Sequence, residues 1–374
     1  MHIVVFFTFD ISLKNWHELG ILNREVLLYK KLTEKKHKVT FITFGNTEDL
    51  NILNNSKIKV VPVYKYVKYS KNKFIRYFKS FLIPFYLLNK IDNIDLIKTN
   101  QLMGAWVAIV MKIIKRKPLY IRTGYDAYQF SIQNKKSLIK RLFYFLLTYF
   151  SVFFSDVYSV TSKKDQDFIY KKYPLINKNK IVVNQNWVNV EPEIKKISDR
   201  HKDKILTVGR LEPQKNYKYL INEFKNSNLV LDIVGEGSLS KELKKTATEE
   251  NLNIVFHSNI EHSALLEMYQ DYKIFVLAST FEGNPKALLE AMGRGCVIFA
   301  NDIESNTEII KNKYNGILFD PKKIDLKTEL NNLLLNEKLL NEISQNGHKY
   351  IQDNNSLEIA IENESKILDR FDFS

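Results

Sequence analysis

A single cysteine, Cys296, excludes an internal disulfide and any zinc cluster built on thiolates. Its apolar setting in GCVIFA reads as a buried strand thiol, and a lone thiol fits a reducing, cytosolic compartment. Glycine and proline are scarce as well, twelve and eight in 374 residues, and neither a low-complexity tract nor a fixed repeat period is present. Disordered, solenoid and propeller architectures are thereby excluded. The opening MHIVVFFTFD has no cationic stretch and no small-residue cleavage site, so it reads as a first strand rather than a signal peptide. The most apolar run, LFYFLLTYFSVFF (142–154), is well short of the roughly 20 residues a spanning helix needs. It reads as a helix either buried against a sheet or lying at an interface. None of the seven histidines stands at metal-ligand spacing from another, so no catalytic metal is expected. VGEGSL (234–239) lacks the third glycine of G-x-G-x-x-G, which removes the main signal for a nicotinamide dehydrogenase.

What is present is apolar and alternating. With 374 residues and 45% hydrophobic content, the chain predicts two domains of roughly 150–200 residues each. Strand-like runs HIVVFFTF, KVTFITF, KIKVVPV, DLIKTN, PLYIRTG and DVYSVTS take turns with helical stretches. The pattern restarts with KILTVGR, LVLDIVG, NIVFHS, IFVLAST, CVIFAN and GILFD. Strand and helix in alternation imply an α/β fold, a parallel sheet covered on both faces, here twice over. The polar, proline-bearing NWVNVEPEIKKISDRHKDK marks the join, giving domains 1–195 and 196–355 followed by an amphipathic C-terminal helix, 356–374, with Leu357, Ile361 and Ile367 on its apolar side. Open sheets of this kind bind ligands beyond the carboxyl ends of their strands, and the cleft between the two domains is the expected site.

Charge is unevenly placed. Residues 1–200 hold 35 Lys and Arg against 15 Asp and Glu, a net +20, while residues 201–374 hold 21 against 27, a net −6. The densest stretch, KYVKYSKNKFIRYFKSFLIPFYLLNK (65–90), interleaves cations with aromatics. It suits an anionic membrane surface, with cations at the headgroups and rings at the interface. A plain surface helix in a lysine-rich chain is the other reading, and contact with nucleic acid the least favoured.

Two stretches carry chemistry. VGRLEPQKNYKYLINEF (208–224) places Gly209 and Arg210 at a strand end and Lys215 in the loop that follows. A guanidinium grips phosphate oxygens with two parallel bonds and an ammonium adds a mobile charge, so the pair can neutralise a diphosphate without a metal. STFEGNPKALLEAMGRG (279–295) turns from a glycine-bearing loop into a helix. Asn284 is expected to cap that helix and Pro285 to occupy its first position. Gly283 lets the backbone approach a ligand, and the N–H groups from Gly283 through Lys286 and Ala287 favour electronegative groups there. Glu282 is free in the loop to accept from hydroxyls. Glu290 lies about 8 Å further along the helix. Set among Leu288, Leu289, Ala291 and Met292, that carboxylate needs either a hidden partner or a ligand's hydroxyl pair.

These segments, with IVGEGSL, the later Glu308 and Gly316, and the E-x7-E pair Glu282 and Glu290, resemble the retaining glycosyltransferases of family 4, which have the two-domain GT-B fold. The resemblance is specific over 200–320 and only in outline before it. It implies transfer of a sugar from a UDP- or GDP-linked donor with retention at the anomeric carbon, an acceptor-binding first domain, a donor-binding second domain and a last helix that returns to the first. It implies further that Arg210 and Lys215 hold the diphosphate, Glu282 the sugar and Glu290 the ribose, and that Gly20 in HELGILNRE matches the glycine turn facing the diphosphate. Where relatives carry a histidine after PLYIR, this chain has Gly124, Tyr125 and Asp126, and Asp126 is the candidate to orient the acceptor hydroxyl. The reading is a cytoplasmic enzyme, peripheral at the inner membrane face, building lipopolysaccharide, capsule or exopolysaccharide on a lipid-linked or saccharide acceptor. Another sugar-nucleotide enzyme, epimerase or soluble synthase, stands within the same fold, and a basic nucleic-acid-binding module stands outside it.

Overall fold

The computed structural model describes residues 1–54, 56–258 and 260–371. Two compact units are present, Met1–Gln185 joined by the C-terminal segment from Ile361, and Asn186–Ala360.

The first unit is built on a parallel sheet of order β3-β2-β1-β4-β5-β6-β7. Its strands are β1 (His2–Phe6), β2 (Lys38–Thr43), β3 (Lys59–Pro62), β4 (Leu96–Thr99), β5 (Leu119–Arg122), β6 (Val157–Val160) and β7 (Ile181–Val183). The second unit has the order β10-β9-β8-β11-β12-β13. Its strands are β8 (His201–Val208), β9 (Val230–Val234), β10 (Ile254–His257), β11 (Tyr272–Leu277), β12 (Val297–Asn301) and β13 (Ile317–Phe319). In both sheets the chain winds outward one way, returns to the centre and winds out the other. The order reverses between β1 and β4 and again between β8 and β11, the position where such sheets bind ligands. Helices on both faces explain why the central strands read as unbroken apolar runs: β1 and β11 are buried along their whole length. The edge strand β7, three residues long, adds a member beyond the runs recognised in the sequence. Cys296 is buried beside β12, and burial pushes its thiol up to about 12.

The units divide between Gln185 and Asn186, ten residues ahead of the expected 195/196 boundary, and between Ala360 and Ile361 rather than at 355/356. Composition marked the polar stretch, yet its first residues are claimed by the second unit through the backbone. Val188 N–H donates to Asn355 O at 2.9 Å, Asn355 Nδ2 donates to Asn186 O at 2.8 Å, and Val188 bridges Ser356. From Ile361 on, the helix Leu357–Leu368 belongs to the first unit, where Glu364 reaches Lys98 on β4.

The basic aromatic stretch is not one helix. It forms a 3-10 turn at Val63–Lys65, a helix Lys73–Ser80 capped by the Asn72 side chain, and a short helix Ile83–Leu87 started by Pro84. The run at 142–154 lies in the helix Leu138–Phe154, where Leu147, Thr148, Ser151 and Val152 are buried while Leu142, Leu146, Phe150 and Phe153 are exposed. Among the described residues no helix is long and apolar enough to cross a membrane.

Candidate active site

Lys215 and Glu282 come together in the second unit, in the loops that follow β8 and β11. The loop after β8 and the loop after β11 are stitched together: Thr280 N–H donates to Gln214 O at 2.9 Å, and Gln214 Nε2 donates to Phe281 O at 2.8 Å. Lys215 Nζ lies 2.5 Å from Glu282 Oε1, both side chains largely buried. Gln214 Nε2 also reaches Glu282 Oε2, at 3.4 Å. Arg210 stands exposed at the end of the same strand. A Cβ on Gly209 would lie 3.2 Å from the Tyr217 hydroxyl and 3.3 Å from the Lys215 Cε, which crosses it. Gly235 of VGEGSL is small because a Cβ there would sit 2.2 Å from Gly209 O. That glycine pair therefore serves close packing of the β9 loop on the β8 loop, a structural reason for a motif that matched no cofactor fingerprint.

The helix of the second stretch spans Lys286–Gly293, with Pro285 in extended conformation as its cap residue and no side-chain cap bond. Asn284 was expected in that role and does something else. Its Oδ1 accepts from Asn186 N–H at 3.0 Å and its carbonyl accepts from Asn186 Nδ2 at 2.7 Å. A residue before proline is held out of the helical region, and here the amide is taken up by a reciprocal long-range pair instead of the helix start. Gly283 and Pro285 are buried, and Lys286 and Ala287 are half-buried in the first turn.

Glu290 is buried, and the partner it required is a histidine that the sequence reading passed over. His262 Nε2, at the start of the helix His262–Gln270, lies 2.9 Å from Glu290 Oε1. No spacing rule links residues 262 and 290, since only the packing of two helices brings them together. His257 closes β10 and pairs with Asp232 at 2.6 Å.

Asp126 and Gly20 belong to the first unit. Gly20 takes a φ of +67° in the turn between helices Leu13–Glu18 and Leu22–Glu34, which gives the glycine a conformational reason of its own. Asp126, proposed from the sequence to orient an acceptor hydroxyl, is fully buried as the cap of the helix Ala127–Gln133, its Oδ1 accepting from Gln129 N–H at 2.6 Å. This is a structural position, created because the residue starts a helix directly after β5. Burial, with a smaller push from Asp165, raises its carboxyl to about 7. The folded value lies above the unfolded one, so the folded state holds an extra proton between about pH 4 and about pH 7. That contribution is fully present below the window and is lost as pH rises through about 7. Stability accordingly falls across the window by up to about 1.4 kcal/mol per pH unit. Asp126→Asn keeps the capping oxygen and is expected to flatten that slope. Thermal melts at about pH 5 and about pH 7 check it, and an undiminished slope in the variant would overturn it.

Solved structures show the fold. Anabaena HepE in complex with UDP superposes with a TM-score of 0.75 at 14% identity, covering 99% of this chain and all of that one. The lipopolysaccharide outer core galactosyltransferase WaaB superposes at 0.70 and 18% identity, covering 98% and 99%. Two Rossmann-like domains in this arrangement of strands are the GT-B fold. The family models for Glycosyltransferase Family 4 and Glycosyl transferases group 1 match residues 26–192 and 190–350, and the chain belongs to the GT-B glycosyltransferases. Among curated relatives, the UDP-Gal:alpha-D-GlcNAc-diphosphoundecaprenol alpha-1,3-galactosyltransferase of Escherichia coli is 27% identical over 71% of this chain and 72% of its own length. Protein CapJ of Staphylococcus aureus is 25% identical over 95% and 91%.

Proposed function

We propose that this enzyme moves a sugar from a nucleoside diphosphate donor, UDP- or GDP-linked, to a lipid-linked or saccharide acceptor in bacterial surface-glycan synthesis, with retention at the anomeric carbon. The observation that carries the reading is the Lys215–Glu282 pair at the reversal point of the second sheet, on the loop that also carries Arg210. When the bond from the anomeric carbon to the diphosphate oxygen breaks, its electron pair stays on that oxygen. Arg210 and Lys215 stabilise the charge that builds there, and preorganised charges of this kind lower a barrier because they need no reorientation. The reading calls for no metal. Glu282 turns one oxygen to Lys215 and takes sugar hydroxyls with the remainder of its acceptor capacity, while the first turn at Gly283–Ala287 approaches the sugar and phosphate. Glu290, held in place by His262, accepts from neighbouring ribose hydroxyls. The donor class draws support from the UDP-sugar in the name of the E. coli relative and from HepE solved with UDP and glucose. The acceptor class draws it from the same relative's diphosphoundecaprenol substrate, which would put this enzyme at the cytoplasmic face of a membrane.

A panel of UDP- and GDP-sugars offered to the purified protein with bacterial membrane extract tests the reading. One donor is expected to release nucleoside diphosphate and label a product whose anomeric configuration, read by proton coupling, equals that of the donor. Nucleotide release with no glycosylated product would overturn it in favour of a hydrolase or epimerase.

A further inference from the structure

The loop that carries Glu282 and Gly283 is held from two sides. Ahead of these residues, Gln214 of the β8 loop accepts from Thr280 N–H with its carbonyl and donates from Nε2 to Phe281 O. Behind them, one residue of the connecting chain bonds Asn284 twice: Asn186 N–H donates to Asn284 Oδ1 at 3.0 Å and Asn186 Nδ2 to Asn284 O at 2.7 Å. Hydrogen bonds are directional, so two between one pair of residues fix orientation as well as distance.

Asn186 is itself braced. It is the first residue of the second unit, where the chain crosses from the first. Its carbonyl accepts from Asn355 Nδ2 at 2.8 Å, Val188 N–H donates to Asn355 O at 2.9 Å, and Trp187 and Val188 are buried. Asn355 ends the helix Glu337–Asn355, close before the chain crosses back after Ala360. Three asparagines thus join both crossing points to the donor loop. Asn284 and Asn355 are 6% and 2% exposed, so losing these bonds leaves buried polar groups unpaired.

The sequence explains why the loop depends on a hold from outside. Gly283 has the least restricted backbone of any residue type and Pro285 has no N–H to donate, so neither fastens the turn they flank. The helix Lys286–Gly293 starts with no side-chain cap bond, because Asn284, kept out of the helical region by the proline, has its oxygens turned to Asn186. Placement of the first turn therefore passes through Asn284 to a residue 98 positions earlier. A displacement of about 1 Å at such a place costs about a hundredfold in rate. We infer that Asn186 is a positioning residue for sugar transfer: through Asn284, the connecting chain sets Gly283 and the first helical turn against the sugar and diphosphate. The kinetic half rests on the glycosyltransfer proposed above. The placement half concerns the protein's own amides and stands apart from it.

Asn186→Ala keeps the backbone N–H and removes the Nδ2 bond to Asn284 O. With the donor that supports transfer, its kcat is expected to fall about ten- to a hundredfold, while affinity for UDP, assigned above to Arg210, Lys215 and Glu290, stays within about threefold. A brace that only kept the unit folded would lower the melting temperature and leave kcat per folded molecule untouched. Asn284→Ala removes the other bond of the same contact. In the double variant, kcat is expected to depart by about threefold or more from the product of the two single effects, as for residues that share one contact. Hydrogen exchange adds a readout that needs no turnover: amides of residues 283–289 are expected to exchange about tenfold faster in Asn186→Ala, and those of β8 at the wild-type rate. Unchanged kcat per folded molecule, an equal loss of UDP affinity, or single effects that simply multiply would each overturn the kinetic role. Unchanged exchange at 283–289 would overturn the placement. A wild type that transfers sugar from no donor, with faster exchange in the variant, would sink the glycosyltransfer reading and the kinetic role with it, and would establish the placement.

Discussion

Replacing Lys215 by methionine is expected to lower sugar transfer by about two to three orders of magnitude, the loss typical when one preorganised charge is removed from a developing anion. The side chain is positioned for that task at some cost. Its ammonium is 2.5 Å from Glu282 Oε1, its aliphatic part crosses Gly209, and the loop it stands on is tied to the β11 loop through Gln214. Methionine keeps the packing over Gly209 and removes only the charge. Glu282 is then left largely buried with the weak 3.4 Å contact to the Gln214 amide, so a destabilisation of about 1–3 kcal/mol is expected alongside the kinetic loss. The two effects are separable. Arg210→Ala removes an exposed cation, so it should lower turnover with little change in melting temperature. Lys215→Arg retains both the charge and the pair with Glu282 and should recover most of the rate. Steady-state kinetics with thermal melts on the three variants decide the matter. If the rate of Lys215→Met falls only in proportion to the fraction unfolded, Lys215 is a loop brace, and the site must be sought elsewhere.

Much of this site was legible because it is local. Gly209, Arg210 and Lys215 lie within seven residues of one another, as do Glu282 through Ala287, and the alternation of strand and helix places both segments at strand ends. Burial on both faces wrote the strands as apolar runs, so all but the three-residue β7 were recognisable. What escaped was long-range. The Glu290 partner lies 28 residues earlier on a neighbouring helix, and the Asn284 partner lies 98 residues earlier in the segment that composition assigned to the first domain. Asp126 misled for the opposite reason. An aspartate after a strand end is a good candidate for chemistry and an equally good helix cap, and only burial separates the two.

The same limit applies to the C-terminal helix, whose apolar positions were readable and whose anchor was not. Glu364 is expected to matter more to stability than any other single side chain discussed here. Both its side chain and that of Lys98 are 1% exposed, and they form a direct ion pair. The second carboxylate oxygen accepts from Asn184 Nδ2 at 3.2 Å and the Tyr120 hydroxyl at 3.4 Å, while the Lys98 ammonium lies 4.8 Å and 5.2 Å from the rings of Tyr120 and Tyr29. Glu364→Ala leaves that cation in the sheet of the first unit with only ring faces around it. Breaking a buried pair from one side costs about 3–5 kcal/mol, a large part of a domain's total stability of about 5–15 kcal/mol. Burial already pushes the Lys98 pKa down against the pull of Glu364, and removing the carboxylate pushes it further. With the folded value below the unfolded one, the unfolded chain binds the extra proton between the two, so stability rises with pH across that window. The variant should therefore be weakest at about pH 7 and recover part of its loss by about pH 9, more steeply than the wild type does. The pair Lys98→Met with Glu364→Leu replaces both charges by apolar groups of similar size and should regain most of the stability, because the cost lies in the orphaned charge and not in the absence of an ion pair. Urea denaturation of the three proteins at both pH values measures it. A double variant no more stable than Glu364→Ala would mean that the hydrogen bonds to Asn184 and Tyr120, rather than the charge on Lys98, hold the returning helix in place.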